Sequence, residues 1–338
     1  TEIYTLSLHD ALPIFNLYDQ HVYLQNQAWL TNNQRRQLDK YLNGEILAVD
    51  IKISLNFLSE LLYRHFGKPV YVLIDEYDAP LNSAFLEFKD NPKEFEQVLK
   101  LFRGLLGATF KSNPYLKQGL ITGILRIAKA NLFSDLNNVS EYTLLDEPFA
   151  SYYGFTEAEV DQLLDQVSLR NKRAEIQQWY NGYRFGEEII YNPWSIMCCL
   201  ESEGKLGYYW LDSGGTDLID SVLLSDKLQA DLQKLAAGDS LVLPISRQIR
   251  FRDIDKPASL YSLLLFSGYL NPKAVDTKND IYRLSIPNDE VGYIYRTRIL
   301  EWVLDKLSTD TSSYYTLTEL LAAGNVLEFE ESDRKSVV

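Results

Sequence analysis

The sequence predicts an α/β protein with a parallel sheet in its first half and a mostly helical second half. Two apolar runs, Val70–Ile74 and Leu116–Gly123, have the length and composition of buried strands. Between them, Lys93–Phe110 carries apolar side chains at helical spacing, so that strand, helix and strand follow one another. This order is typical of a parallel βαβ unit, and we expect the first strand to be buried on both faces.

Other elements follow from their own patterns. Ile51–Phe66 has apolar residues close to helical spacing and leads into the first strand. Farther on, Thr156 and Glu159 form the capping-box pattern of a helix N-terminus. Three more helices are predicted in the second half: one that opens at Ser195, one over Ser259–Leu270 that stops at Gly268, and one that ends at Leu307.

Bulk properties restrict the class of protein. The chain has 338 residues, 46% of them hydrophobic and 13% aromatic, which suffices for two or three packed units. Its formal net charge of −14 argues against a broad nucleic-acid-binding face, because phosphate neutralisation needs clustered Lys and Arg. No apolar run approaches the roughly 18–20 residues that cross a bilayer. We therefore expect no membrane association.

The cysteines indicate a reducing compartment. Cys198 and Cys199 are adjacent in an apolar segment, and neighbouring cysteines do not easily bridge each other. We interpret them as buried, reduced thiols of a cytoplasmic protein. The three histidines form no ligand-like pair, so that a structural zinc site is not expected.

Two adjacent carboxylates, Asp75 and Glu76, directly follow the first strand. Ligands of open α/β sheets bind at the carboxyl ends of the strands. One carboxylate there can hold Mg²⁺ through its water shell while its neighbour polarises an attacking water, as in the Walker B arrangement of nucleotide hydrolases. The alternative interpretation, equally open from this pattern alone, is that the pair simply begins a polar loop.

One residue at the carboxyl end of the second strand and one beyond it could complete such a site. The Thr122 hydroxyl would lie near Asp75 if the two strands are neighbours, where it could contact a terminal phosphate or orient water. Arg126, one turn on, could supply positive charge to a phosphate. The alternatives are that Thr122 caps a helix and that Arg126 forms a surface ion pair.

The phosphate-cradling loop G-x-x-x-x-G-K-[ST] does not occur within the 338 residues. The nearest pattern, Phe66–Pro69, places a proline where a hydroxyl and a backbone N–H would be needed, so that we interpret it as a helix-to-strand turn. Two aromatic-polar segments, 179–185 and 191–196, could stack a base through their rings and Arg184, although core packing of loops is the favoured interpretation.

Several segments together resemble the bacterial AAA-ATPase-like family, in which an AAA-type ATPase is usually followed by a PD-(D/E)xK nuclease domain. They are collinear over roughly residues 45–300. The resembling segments are Leu73–Leu81, Thr122–Lys129, Phe133–Asn138, Tyr153–Glu157, Trp179–Tyr183, Tyr191–Ser195, Phe266–Leu270 and Ile286–Asn288.

The resemblance implies a P-loop-NTPase-like core, without its first strand and phosphate loop, followed by a mostly helical region. It implies Asp75 as the carboxylate associated with Mg²⁺, Glu76 as the group that activates water, and Thr122 and Arg126 as sensor-type residues. ATP and Mg²⁺ are the implied cofactors. A nuclease domain outside this chain would add DNA as a partner, and the oligomeric state is left open.

The same resemblance divides the chain into an ATPase core at 15–150, a helical lid at 151–245 and a C-terminal helical region at 246–331. Residues 1–14 and 332–338 resemble translated sequencing-adapter sequence, and we expect them to be foreign, ordinary termini being the alternative. A fragment without the phosphate loop is expected to be inactive as an ATPase. The alternative function is an ATPase-fold scaffold for interactions that has lost the chemistry.

Overall fold

The computed structural model describes residues 14, 16–111, 113–124, 136, 138–210, 223, 226, 228–249, 253 and 256–307. The chain divides into two compact units. Unit 1 comprises Thr1–Glu141 with Arg247–Asp253, and unit 2 comprises Tyr142–Ser246 with Ile254–Val338. Mixed α/β structure with a small parallel sheet is thereby confirmed for the described residues. The segments expected to be foreign, apart from Ile14, lie outside them.

Unit 1 combines helices with a two-stranded parallel sheet. The elements described are a 3-10 turn at Val22–Asn26, helices α1 (Asn32–Asn43), α2 (Ala48–Phe66), α3 (Ala79–Glu87) and α4 (Pro92–Phe110), and strands β1 (Val70–Ile74) and β2 (Leu116–Ile121). Strands β1 and β2 pair in parallel, so the predicted βαβ order is confirmed. Gly119 lets β2 pack against α4, because a Cβ atom at this position would overlap the Phe110 ring.

Strand β1 is covered on one face only. Val70, Val72 and Ile74 are half-buried, whereas Tyr71 and Leu73 are 60% and 72% exposed. Successive side chains of a strand point to opposite faces, so the alternation identifies one packed and one open face. The expectation that the first strand is buried on both faces is wrong, since the described helices cover only the face of Val70.

The remaining core of unit 1 lies between α1, α2 and the segment that precedes them. Tyr18 and Tyr41 stack with ring centroids 4.2 Å apart, and both are fully buried. Their hydroxyls donate to the carbonyl oxygens of Ser54, at 2.7 Å, and Asp50, at 2.5 Å. These contacts fix α2, the helix that delivers the chain into β1.

Unit 2 combines helices with two antiparallel sheets. Its described elements are 3-10 turns at Ala150–Tyr152 and Arg170–Lys172, helices α5 (Glu157–Gln166), α6 (Arg173–Tyr180), α7 (Pro193–Glu201), α8 (Gln229–Ala236), α9 (Pro257–Phe266) and α10 (Asp289–Leu307), and strands β3 (Tyr183–Phe185), β4 (Glu188–Ile190), β5 (Leu241–Pro244), β6 (Asn271–Asp276) and β7 (Ile281–Ser285). Strands β3 and β4 form a hairpin, and the other three lie in the order β5-β7-β6. The second half therefore holds more strand structure than expected. No helix among the described residues is long and apolar enough to cross a bilayer.

Helices α5 and α7 of unit 2 begin at side-chain caps. The predicted capping box is confirmed, because Thr156 N donates to Glu159 Oε2 at 2.8 Å and the Thr156 hydroxyl accepts from Glu159 N. The prediction that a helix opens at Ser195 is wrong by two residues. Helix α7 begins at Pro193, since Asn192 Oδ1 accepts from Trp194 N at 2.9 Å as the N-cap. The cysteines on α7 are both free thiols, and Cys199 is buried.

Two of the resembling segments meet before α10. The Asn288 side-chain amide donates to the Asn181 carbonyl oxygen at 3.0 Å. Gly182, at φ +105°, faces the Pro287 carbonyl so closely that a Cβ atom would overlap it. Glycine is therefore required in Trp179–Tyr183 for both its backbone conformation and its missing side chain.

A buried carboxylate joins three parts of unit 2. Glu290, in the first turn of α10, is fully buried. Its Oε2 accepts from the Ser195 hydroxyl at 2.7 Å, and its Oε1 accepts from Trp210 N at 2.8 Å. Burial raises the pKa of the Glu290 carboxyl above its ordinary value, since a buried site disfavours the charged form.

This raised pKa generates a prediction about stability. The folded chain holds the Glu290 proton at pH values where the unfolded chain has released it. The resulting stabilisation is complete at low pH and is lost as the pH rises from about 4.5 through the folded pKa. We expect the Glu290→Gln variant to lack this pH-dependent loss. The free energy of unfolding of the variant, relative to that of the wild type, should therefore rise with pH. Glu290→Ala should lower the free energy of unfolding by about 2–4 kcal/mol, because Ser195 and Trp210 lose their acceptor.

Urea unfolding followed by tryptophan fluorescence between about pH 4 and pH 8 measures both effects. Glu188→Gln, an exposed substitution on β4, is the matched control and should follow the wild type. Parallel pH profiles for Glu290→Gln and the wild type would contradict the role of the buried carboxyl.

Candidate functional site at the end of the parallel sheet

The carboxyl ends of β1 and β2 are held side by side by backbone hydrogen bonds. Ile74 pairs with Ile121, the last residue of β2. Beyond this pair, Thr122 N donates to the Ile74 carbonyl oxygen at 2.8 Å, and Tyr77 N donates to the Thr122 carbonyl oxygen at 3.0 Å. The two chain segments therefore leave the sheet together.

These bonds bring two of the predicted site residues into contact. The Thr122 hydroxyl donates to Asp75 Oδ1, and Glu76 N donates to the same oxygen at 3.0 Å. Asp75 and Glu76 are exposed, and Thr122 is half-buried. The prediction that Thr122 lies beside the Asp75 strand is confirmed, while the catalytic roles stay predictions. Arg126, the fourth predicted residue, lies outside the described residues.

Glu76 has an unusual backbone conformation. Its φ of +47° lies in the left-handed region, which residues with a Cβ atom seldom adopt. This conformation costs about 1–2 kcal/mol relative to the right-handed one, and such strain concentrates at functional sites. The left-handed residue lets the chain turn sharply out of β1, and Ala79 N then donates to the Glu76 carbonyl oxygen at 3.0 Å.

The two residues that follow Glu76 are buried and hold the turn in place. Tyr77 and Asp78 are buried, at 8% and 2% exposure. A Cβ atom on Gly123 would lie 2.5 Å from Asp78 Oδ1 and 2.7 Å from Tyr77 Cδ1, so only glycine lets the two turns approach this closely. Sequence reasoning missed Tyr77, Asp78 and Gly123 as positioning residues. The signal available was that all three belong to the resembling segments.

The donor set fits a weakly held hard cation. Among the described residues, no group of three His, Cys, Asp or Glu side chains could hold a metal ion. Mg²⁺ usually keeps several waters and is bound through one or two carboxylates together with substrate phosphates. An exposed Asp75 carboxylate, whose described hydrogen bonds both use Oδ1, suits this mode of binding.

The strained turn generates a stability prediction. Replacing Glu76 by glycine removes the Cβ atom that makes the left-handed conformation unfavourable, so we expect Glu76→Gly to raise the free energy of unfolding by about 1 kcal/mol. Glu76→Gln keeps the Cβ atom and should leave stability unchanged within about 0.5 kcal/mol. Chemical denaturation measures the difference, with Ser168→Gly, at an exposed residue of φ +59°, as a positive control for the relief of strain. A destabilised Glu76→Gly would show that the side chain stabilises the turn.

Comparison with known proteins supports the resemblance seen in the sequence. Residues 12–133, which include Asp75, Glu76 and Thr122, match the AAA-ATPase-like family model, described as "Predicted AAA-ATPase". A relative from Azotobacter chroococcum mcd 1, "Uncharacterized protein in vnfD 5'region", is 28% identical over 228 residues, or 67% of this chain and 42% of the relative. The chain thus spans less than half of that relative's length. No solved structure matches. The similarity to the AAA-ATPase-like family is thus located in residues 12–133.

Proposed function

We propose that the ends of β1 and β2 form the cation- and water-binding half of an ATP hydrolysis site. One observation carries the proposal: the Thr122 hydroxyl and the Asp75 carboxylate hydrogen-bond at the carboxyl ends of adjacent parallel strands. This edge of an open sheet is where α/β proteins bind ligands. The family match over the same residues supports a nucleotide as the ligand.

Each side chain receives a role from its surroundings. Asp75 offers an exposed carboxylate to the water shell of Mg²⁺, and the Thr122 hydroxyl fixes the orientation of that carboxylate. When bound, Mg²⁺ would neutralise charge on the phosphates. Glu76 is the neighbouring exposed carboxylate and would accept a proton from the attacking water. Arg126 completes the proposal as a source of positive charge near the phosphates.

In the complete protein, we propose that hydrolysis drives a conformational switch in a cytoplasmic ATPase, coupled to a nuclease domain that would act on DNA. The alternative function is an inactive scaffold with the same fold, which would have lost a working phosphate-cradling loop in its complete sequence. The two functions differ in whether the protein binds and turns over Mg²⁺-ATP.

Steady-state ATP hydrolysis by the full-length gene product tests the proposed roles. We expect Glu76→Gln to lower the turnover number by about 10²–10⁴-fold, because a general base typically contributes that much. ATP affinity, measured by titration calorimetry, should change by less than about threefold, since Glu76 acts on the water.

Glu87→Gln, an exposed carboxylate at the end of α3, is the matched control and should leave turnover and affinity at wild-type values. Unchanged turnover in Glu76→Gln would remove Glu76 from the mechanism. A wild-type protein that neither binds nor hydrolyses ATP would favour the scaffold.

A further inference from the structure

Four exposed aromatic side chains lie close together at the start of unit 2, between Tyr142 and Tyr153. The rings of Tyr142 and Phe149 meet edge to face with their centroids 4.9 Å apart, and the Tyr152 ring lies 6.4 Å from that of Phe149. Tyr153 stacks on Phe185 of β3, with centroids 5.2 Å apart. We refer to Tyr142, Phe149, Tyr152 and Tyr153 together as the aromatic surface.

The backbone that carries these rings is anchored against the β3–β4 hairpin. Gly186 N, in the turn of the hairpin, donates to the Leu144 carbonyl oxygen at 2.8 Å. A Cβ atom on Gly186 would lie 2.9 Å from Glu147 Cα, so the two turns are closely packed. Leu144 and Ala150 are buried between the exposed aromatic residues. An anchored backbone therefore holds the aromatic rings in solvent, which reduces the entropy lost when a partner binds to them.

Phe149 has a backbone conformation that its own side chain makes unfavourable. Its φ of +67° lies in the left-handed region, which is rare for a bulky residue. The residue joins two turns, since Ala150 N donates to the Glu147 carbonyl oxygen at 3.2 Å and Tyr152 N donates to the Phe149 carbonyl oxygen at 2.9 Å. Glycine would adopt this conformation without strain, and the Phe149 ring is 54% exposed. An exposed ring at a strained position indicates a role beyond folding.

The aromatic surface lies among carboxylates. Residues 142–153 and the hairpin at 183–190 contain four acidic side chains and one basic side chain, Arg184. The acidic residues are Asp146, Glu147, Glu187 and Glu188, and all except the first are exposed. The Arg184 guanidinium already lies 3.7 Å from the Glu187 carboxylate. The local charge is therefore negative, and the net charge of −14 of the whole chain would attract a cationic partner from a distance.

This combination of aromatic rings and carboxylates selects the kind of partner. A second copy of the chain, docked through the same surface, would bring its own carboxylates against these, and like charges across an interface oppose binding. An arginine side chain matches both features. Its planar guanidinium stacks on tyrosine and phenylalanine rings and forms paired hydrogen bonds with a carboxylate.

We propose that the aromatic surface docks an extended, arginine-containing segment of a partner protein. Guanidinium groups of that segment would stack on the rings of Phe149 and Tyr152 and pair with the carboxylates of Glu147 and Glu188. Tyrosine and phenylalanine are enriched in protein interfaces, which agrees with this use of the surface. The surface belongs to unit 2 and does not depend on the function proposed for β1 and β2.

Fluorescence anisotropy with labelled peptides of about nine residues, which alternate arginine and serine, tests the proposal on the 338-residue chain. The arginine peptide should bind with a Kd below about 100 μM, and a matched lysine peptide should bind at least about threefold more weakly. Tyr152→Ala and Phe149→Gly should each weaken the arginine peptide about fivefold, because each removes one stacking ring.

Two controls accompany these variants. Tyr71→Ala removes an exposed tyrosine of β1, outside the aromatic surface, and should bind the arginine peptide like the wild type. Tyr152 is 85% exposed, so Tyr152→Ala should keep the wild-type Tm. Phe149→Gly should unfold at the same or a higher denaturant concentration than the wild type, because glycine relieves the left-handed strain.

Four results would overturn the proposal. The first is that the arginine peptide does not bind at about 1 mM. The second is binding that Tyr152→Ala and Phe149→Gly both leave unchanged, or equal binding of the lysine peptide, which would indicate attraction by net charge alone. The third is self-association in sedimentation that Tyr152→Ala abolishes, which would make a second copy the occupant. The fourth is a clear loss of stability in Phe149→Gly with peptide affinity unchanged in Tyr152→Ala, which would assign the rings to folding.

Discussion

The parallel pairing of β1 with β2 is the constraint on which the candidate site depends. Its register aligns Ile74 with Ile121, so that the residues that follow, Asp75 and Thr122, leave the sheet side by side. Side chains alternate along a strand, and a shift of one residue in either strand would turn each side chain to the opposite face. The contact between carboxylate and hydroxyl therefore reports directly on the strand register.

The acidic side chains of the two units have different roles according to their burial. In unit 1, Asp75 and Glu76 are exposed at the site, while the buried Asp78 packs against Gly123 and holds the two turns together. In unit 2, the buried Glu290 accepts hydrogen bonds from Ser195 and the Trp210 backbone. Exposure keeps the first pair of carboxylates available to solvent and ligands, whereas burial makes the other two carboxylates part of the structural framework.

Sequence patterns predicted the longer secondary-structure elements and their order along the chain. They missed features that depend on tertiary packing. Strand β1, helix α4 and the contact of Thr122 with Asp75 followed from periodicity and the βαβ rule. The open face of β1 was missed, because an apolar run does not reveal which elements cover it. Strands β3 and β4 are three residues each, too short for a period of two to be recognised. The left-handed conformation of Glu76 leaves no mark in the sequence, since it arises from surrounding contacts.

A double-mutant cycle in the full-length protein tests most directly whether Asp75 and Thr122 act as one site. Asp75→Asn, Thr122→Val and the double variant are compared by the affinity for ATP that depends on Mg²⁺, measured by titration calorimetry. We expect each single substitution to weaken this affinity about tenfold and the double substitution to be hardly weaker than Asp75→Asn alone, because the hydroxyl acts through the carboxylate. Losses that multiply to about a hundredfold would show that the two side chains act independently and would contradict a shared site.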